Sequence, residues 1–158
     1  MSIILTHAYY LFEDDKEQKI MRPYAPLGLL YISGYLKQHN ITNHVYDATF
    51  YSYQKQLKFI EEKQPKAVAI YTNLMTKLNV VTLVKELTTE YKYGFPKIFI
   101  GGPDITYNLE NYLNLGAHFL IIGEGEETTL ELYEAITTNS PFNKIQGTEC
   151  TIRNMNSQ

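Results

Sequence analysis

The groups that could do chemistry in this 158-residue chain gather in four segments. They are Thr6-His7-Ala8-Tyr9, Tyr71-Thr72-Asn73-Leu74-Met75-Thr76, Gly101-Gly102-Pro103-Asp104 and Gly123-Glu124-Gly125-Glu126-Glu127-Thr128. An imidazole such as that of His7 can ligate a metal or move a proton. No second His, Cys or carboxylate stands at ligand spacing from it, and His39, His44 and His118 fall at helix ends or strand starts on the opposite edge. Thr72, Asn73 and Thr76 set small polar groups around Leu74 and Met75, a composition that suits an apolar slot with a few orienting hydrogen bonds. Thr76 also reads as the N-cap of the helix that follows.

Gly101 and Gly102 carry no Cβ, so a ligand can approach bare backbone there, although an ordinary strand-to-helix turn would use the same pair. Pro103 has no N–H and removes one donor from any phosphate cradle. In Gly123-Glu124-Gly125 the third glycine of a dinucleotide fingerprint is replaced by Thr128, and the segment follows the last major strand instead of the first. Glu126 and Glu127 fall in a first helical turn, where carboxylates suit the dipole and repel a phosphate. These glycines are therefore read as close-approach positions, and Glu124 as an acceptor for a ligand amide or as a solvated or capping carboxylate. With no Gly-x-Ser-x-Gly elbow, acid/base pair or triad at usable spacing, no catalytic residue and no metal ligand is assigned.

These segments each follow a compact apolar run, and the runs alternate with helical stretches. Strands are predicted at Ile3 to Thr6, Val45 to Ala48, Ala67 to Tyr71, Lys97 to Ile100 and Phe119 to Ile122, all parallel and covered on both faces. Helices between them carry apolar stripes of Leu27, Leu30, Tyr31 and Tyr35 after Pro26, then Tyr53, Leu57 and Ile60, then Leu78, Val81, Val84 and Leu87. The last two show Ile105, Leu109, Tyr112 and Leu113, and Leu132, Ala135 and Ile136. Right-handed crossovers then give a three-layer α/β domain, Rossmann-like or flavodoxin-like, with a five-stranded parallel sheet in the order 2-1-3-4-5. The stretch from Gly147 to Asn154 is either a sixth, edge strand or a linker. Ala8 to Ala25 is a longer connection than a compact α/β turn needs, a functional candidate or a mobile loop.

Length sets one domain, and 44% hydrophobic with 20% charged residues is ordinary for a soluble globular chain. The net charge of -3, with no basic run, excludes an electrostatic grip on nucleic acid. The single cysteine, Cys150, supports neither a disulfide framework nor a Cys-rich metal or iron-sulfur site, and it fits a reducing, cytoplasmic setting. The apolar start at Ile3, Ile4 and Leu5 is too short for a signal peptide or a membrane span.

Taken together, the segments resemble the cobalamin (vitamin B12) binding domain at the amino terminus of B12-dependent radical SAM proteins. The likeness runs through Pro26-Leu27-Gly28-Leu29-Leu30-Tyr31-Ile32-Ser33-Gly34-Tyr35-Leu36, Val45-Tyr46-Asp47, the Thr72-x-Leu74 step, Ile100-Gly101-Gly102-Pro103 and Ile122 to Thr128, in the family's order. It implies a cobalamin-binding-like domain over residues 1–153, with 154–158 a tail or the start of a linker. It also implies a Rossmann-like fold in which the cofactor's nucleotide tail slots between sheet and helices and the corrin lies over the strand ends. By position, Thr72 and Leu74 would line the tail pocket, Gly101 and Gly102 would make room, and Gly123 to Gly125 would border the far side. The implied cofactor-binding set is Thr72, Asn73, Leu74, Met75, Gly101, Gly102, Pro103, Gly123, Glu124 and Gly125. Filling Gly102 with Val is expected to close the slot and leave the fold intact.

The Asp-x-His-x-x-Gly pattern that supplies a histidine to cobalt is missing, as it commonly is in the radical SAM relatives. Cobalamin would then be held with its own base detached and with no protein histidine, His7 included, on cobalt. The Cys-x-x-x-Cys-x-x-Cys motif of the radical SAM barrel is absent too, so S-adenosylmethionine and a 4Fe-4S cluster could enter only through a barrel elsewhere in a longer protein or in a separate partner. Three functions compete: a module presenting cobalamin for methyl transfer or related radical chemistry, a cofactor-free interaction or sensor domain, and, least supported, a small nucleotide-binding enzyme.

Overall fold

The computed structural model describes residues 1–89, 94, 96–142 and 145–150. Its sheet holds β1 (Ile3–His7), β2 (Asn43–Tyr46), β3 (Ala67–Tyr71), β4 (Lys97–Gly101), β5 (Phe119–Ile121) and β6 (Thr148–Cys150), in the order β2-β1-β3-β4-β5-β6. The first five are mutually parallel, as predicted, and β6 runs antiparallel along β5 as an edge strand. Residues 151–154 of the expected edge segment, and the domain boundary expected at 153, lie outside the described residues. Strand β2 begins two residues before the predicted Val45, because register with β1 pairs Ile3 with Asn43.

Alternation along the strands divides the core. Ile3, Leu5, Ala67, Ala69, Phe99, Phe119 and Ile121 pack with α2 (Leu27–Gln38) and α6 (Glu126–Thr138). Ile4, Val68, Ile70, Ile98, Ile100 and Leu120 pack with α3 (Tyr53–Lys63), α4 (Lys77–Thr89) and α5 (Ile105–Leu115). Each fully buried aliphatic side chain in these layers contributes about 1.5–3 kcal/mol. The Ala8 to Ala25 connection is ordered: it holds a 3-10 turn at Leu11–Glu13 and a short helix, α1 (Glu17–Ile20). Tyr10 and Leu11 are buried, and the Tyr10 hydroxyl bonds Gln56 of α3.

Two predicted helix faces are rotated. In α2 the buried stripe is Leu29, Ser33 and Leu36, while Leu27, Leu30 and Tyr31 are exposed. The Ser33 hydroxyl donates to Asn43 Oδ1 at 2.6 Å, which ties that face to β2. In α4 the stripe is Val80, Leu83, Val84 and Leu87, and Leu78 is exposed. Apolar residues lie on several faces of both helices, so periodicity alone could not select the buried one.

Candidate functional site

Between α2 and α6, beyond the carboxyl ends of β3, β4 and β5, the sheet opens into a groove of about 340 Å3, within the roughly 300–1,000 Å3 range of small-molecule sites. Ala69, Phe99 and Ile121 of the strands and Leu29 and Ile32 of α2 give it apolar walls. Gly101, Gly102, Gly123, Glu124, Gly125, Glu126 and Thr129 complete the lining. Gly28 reaches the groove from α2, and a Cβ built there, or at Gly123, would meet nothing within 4 Å. Missing side chains, not packed ones, hold this space open.

Gly102 has a different task. Its φ is +121°, and a Cβ there would sit 2.1 Å from the Thr72 carbonyl oxygen, where the loops after β3 and β4 meet. The Thr72 N–H donates to the Gly101 carbonyl at 2.8 Å across the same junction. The expectation that Gly102→Val would spare the fold is therefore overturned: the added carbon strikes backbone and not the slot.

A second cavity, also about 340 Å3, shares Gly28, Leu29 and Tyr71 with the groove and lies where the chain leaves β1 and β3 for opposite faces. Such a switch point is the usual ligand crevice of an open α/β sheet. His7, Tyr9, Tyr24, Thr49, Asn73 and Thr76 help line it. Tyr9 N–H donates to His7 Nδ1 at 3.2 Å, so the ring proton sits on Nε2, which donates to Asp47 Oδ1 at 2.9 Å. Burial lowers the His7 pKa, and the hydrogen bond and charge of Asp47 offset part of that shift. The ring is thus a neutral, doubly bonded brace with no free lone pair.

The other side of the same rim is closed. Thr72 is fully buried, and its hydroxyl donates at 2.9 Å to the Tyr112 hydroxyl, which donates at 2.7 Å to Asp104 Oδ2. Lys77 Nζ stands 3.6 Å from that carboxylate. Burial pushes the Tyr112 pKa up to about 12, the Thr72 bond opposes the rise and Asp104 adds to it, so the phenol stays a donor. Asn73 and Thr76 close the turn into α4: Asn73 Oδ1 accepts from the Met75 and Thr76 N–H groups at 3.0 Å each, and Thr76 Oγ1, expected to cap the helix, accepts the Asn73 N–H at 3.1 Å instead.

Of the residues singled out from sequence, Gly101, Gly102, Gly123, Glu124 and Gly125 meet in the groove, and Asn73 lines the adjoining cavity. Thr72 lies on the opposite face of the sheet, with Tyr112. Leu74 and Met75 are exposed on the turn into α4, and Pro103 is exposed beside Gly102. The expected cofactor-binding set omits Gly28, Leu29, Ile32, Ala69, Ile70, Tyr71, Phe99, Ile121, Glu126 and Thr129, which also line the groove. Strand alternation could have found Tyr71, two residues beyond Ala69 on the groove face, in place of Thr72. Among the described residues no cluster of three or more His, Cys, Asp or Glu could hold a metal ion, and no helix is long and apolar enough to cross a membrane.

The family described as B12 binding domain matches residues 19–133, well over half of the chain. A solved structure of the radical S-adenosylmethionine methyltransferase TsrM from Kitasatospora setae, with cobalamin and a 4Fe-4S cluster bound, is similar at a TM-score of 0.73 and 19% identity, covering 97% of this chain and 28% of that one. The cobalamin-dependent S-adenosylmethionine radical enzyme OxsB, with aqua-cobalamin and S-adenosylmethionine bound, is similar at a TM-score of 0.77 and 14% identity, covering 93% of this chain and 20% of that one. At such identities the likeness is one of fold, and this chain spans less than a third of either protein. No curated protein sequence matches it.

Proposed function

Because the chain belongs to the B12 binding domain family, whose cofactor is cobalamin, we propose that it is the cobalamin-holding module of a radical SAM system, presenting the cofactor to a barrel on the same polypeptide or on a separate partner. The observation that carries this reading is the groove held open by absent side chains at Gly28 and Gly123 over an apolar floor of Ala69, Phe99 and Ile121. A long tail ending in a flat heteroaromatic base fits such a slot. The neighbouring cavity at the switch point, with Tyr71 shared between the two, continues the surface toward the strand ends where a corrin would rest.

In this reading Gly101, Gly123 and Gly125 admit the tail, Leu29 and Ile32 cover it, and Glu124 at the rim accepts a hydrogen bond from a corrin amide. Cobalamin, when bound, supplies a cobalt centre that carries a methyl group or takes part in radical remodelling of a carbon. His7 braces the adjoining cavity through Asp47 and Tyr9, and with both ring nitrogens engaged it would not be available to a bound cofactor. S-adenosylmethionine and the 4Fe-4S cluster belong to the barrel. The lone cysteine fits a reducing, cytoplasmic setting.

The test is to mix the purified chain with hydroxocobalamin, desalt it, and record the visible spectrum. Retained corrin with its base detached is expected, and Gly28→Leu, which places a side chain in the open space at the groove wall, should weaken retention by about tenfold or more. A wild-type chain that keeps no corrinoid under any condition would leave the cofactor-free interaction or sensor reading standing instead.

A further inference from the structure

Thr129 of α6 is fully buried and lines the groove, and its hydroxyl has no hydrogen-bond partner. Other helix threonines in this chain behave differently. Thr82, Thr88, Thr89, Thr137 and Thr138 return their hydroxyls to a backbone carbonyl one turn earlier, and Thr128 donates to the Gln146 carbonyl. The carbonyl one turn before Thr129, Gly125 O, accepts the Thr129 backbone N–H at 2.9 Å and does not take its hydroxyl. Native chains keep few buried polar groups unbonded, and those they keep call for a ligand, a water or an ion.

We propose that Thr129 Oγ1 donates a hydrogen bond to the ring nitrogen of the heteroaromatic base that ends the cobalamin tail. This rests on the cobalamin reading above and assigns a specificity residue within it. The surroundings select the acceptor. Ala69, Phe99 and Ile121 offer the groove flat apolar contact, which suits an aromatic ring. Glu124 and Glu126 at the rim disfavour a phosphate in the same space. A base detached from cobalt has an uncovered nitrogen that must find a donor, and Thr129 is a donor that must find an acceptor. Tyr133, one turn further along α6, also has an unpartnered hydroxyl, but it packs in the core and does not line the groove.

The experiment compares two corrinoids on two proteins: cobalamin, and a corrinoid whose lower base is a phenol ring with no nitrogen. Wild type should bind cobalamin about tenfold more tightly than the phenol-based corrinoid, the worth of one hydrogen bond. Thr129→Val, nearly isosteric, should lose that preference, and Thr129→Ser should keep it. Equal binding of both corrinoids by wild type overturns the assignment while leaving the cobalamin reading intact, and so does a preference retained in Thr129→Val. Failure of wild type to bind any corrinoid overturns the reading itself. The wild-type arm decides even if a variant folds poorly.

Discussion

The two flanks of the sheet's carboxyl rim are built on opposite rules. On the α4/α5 side, Thr72, Tyr112, Asp104 and Lys77 form a chain of hydrogen bonds and charge that fills the end of the sheet. On the α2/α6 side, glycines leave space and the Thr129 hydroxyl is left without a partner. A buried polar group without a bond costs about 1–3 kcal/mol, so the open flank is a standing cost to the apo fold, and the closed flank is where the rim's stability resides. A site for a large ligand needs both: one side rigid enough to hold the loops in place, the other empty enough to receive.

The sharpest way to break this contrast is at the seam. Gly102→Val forces a β-branched residue to φ +121° with its Cβ against the Thr72 carbonyl, and a loss of about 3 kcal/mol or more is expected. A urea titration that finds the variant as stable as wild type would show that the seam does not hold the two flanks apart. Next in size is Tyr112→Phe, which removes a donor from Asp104 and the acceptor of Thr72, and should cost about 1.5–3 kcal/mol. Cobalamin affinity should stay within about twofold, after correction for the unfolded fraction. A larger drop would mean that the closed flank shapes the groove after all.

Acid tests the closed side from its lower end. His118 Nδ1 accepts the Ile98 N–H at 3.1 Å, and burial, with the charge of Lys97, lowers its pKa to about 4 from 6.5. The folded state therefore binds fewer protons than the unfolded chain between those values. Stability from this group is complete above pH 6.5 and falls as the pH drops toward 4. The ring is partly exposed, so the expected loss is on the order of 2 kcal/mol. Denaturation midpoints measured across that range should show the slope, and His118→Gln should flatten it.

Much of this architecture is legible in the amino-acid sequence. β3 matches its predicted span and β4 extends it only to Gly101, because apolar runs between turn residues mark strands covered on both faces. The glycine segments after β4 and β5 are legible as places of close backbone approach, and six of their residues line the groove. Side-chain direction was not read correctly. Thr72 looked like a ligand contact from its polarity and its place after β3, yet one step of strand alternation sends it to Tyr112 and leaves Tyr71 on the groove. The buried face of α2 was misread because its apolar residues nearly encircle it, and the deciding contact, Ser33 to Asn43, is made with another element. Thr129 was invisible for a stronger reason: its significance is a missing bond, and a sequence lists groups without saying which of them go unpaired.

The smallest expected effect has the most telling sign. Gly28 is the second residue of α2, where glycine is a poorer helix former than alanine, and a Cβ there meets nothing within 4 Å. Gly28→Ala should therefore raise the stability of the apo chain by about 0.5 kcal/mol, which paired urea titrations can resolve. Substitutions in the closed flank remove bonds and can only weaken the fold, whereas this one strengthens it by occupying room that no side chain uses. The same methyl group takes up space at the groove wall, so cobalamin affinity should fall while stability rises. If the two quantities rise together, the space at Gly28 is not reserved for a ligand, and the contrast between the flanks reduces to a difference in packing.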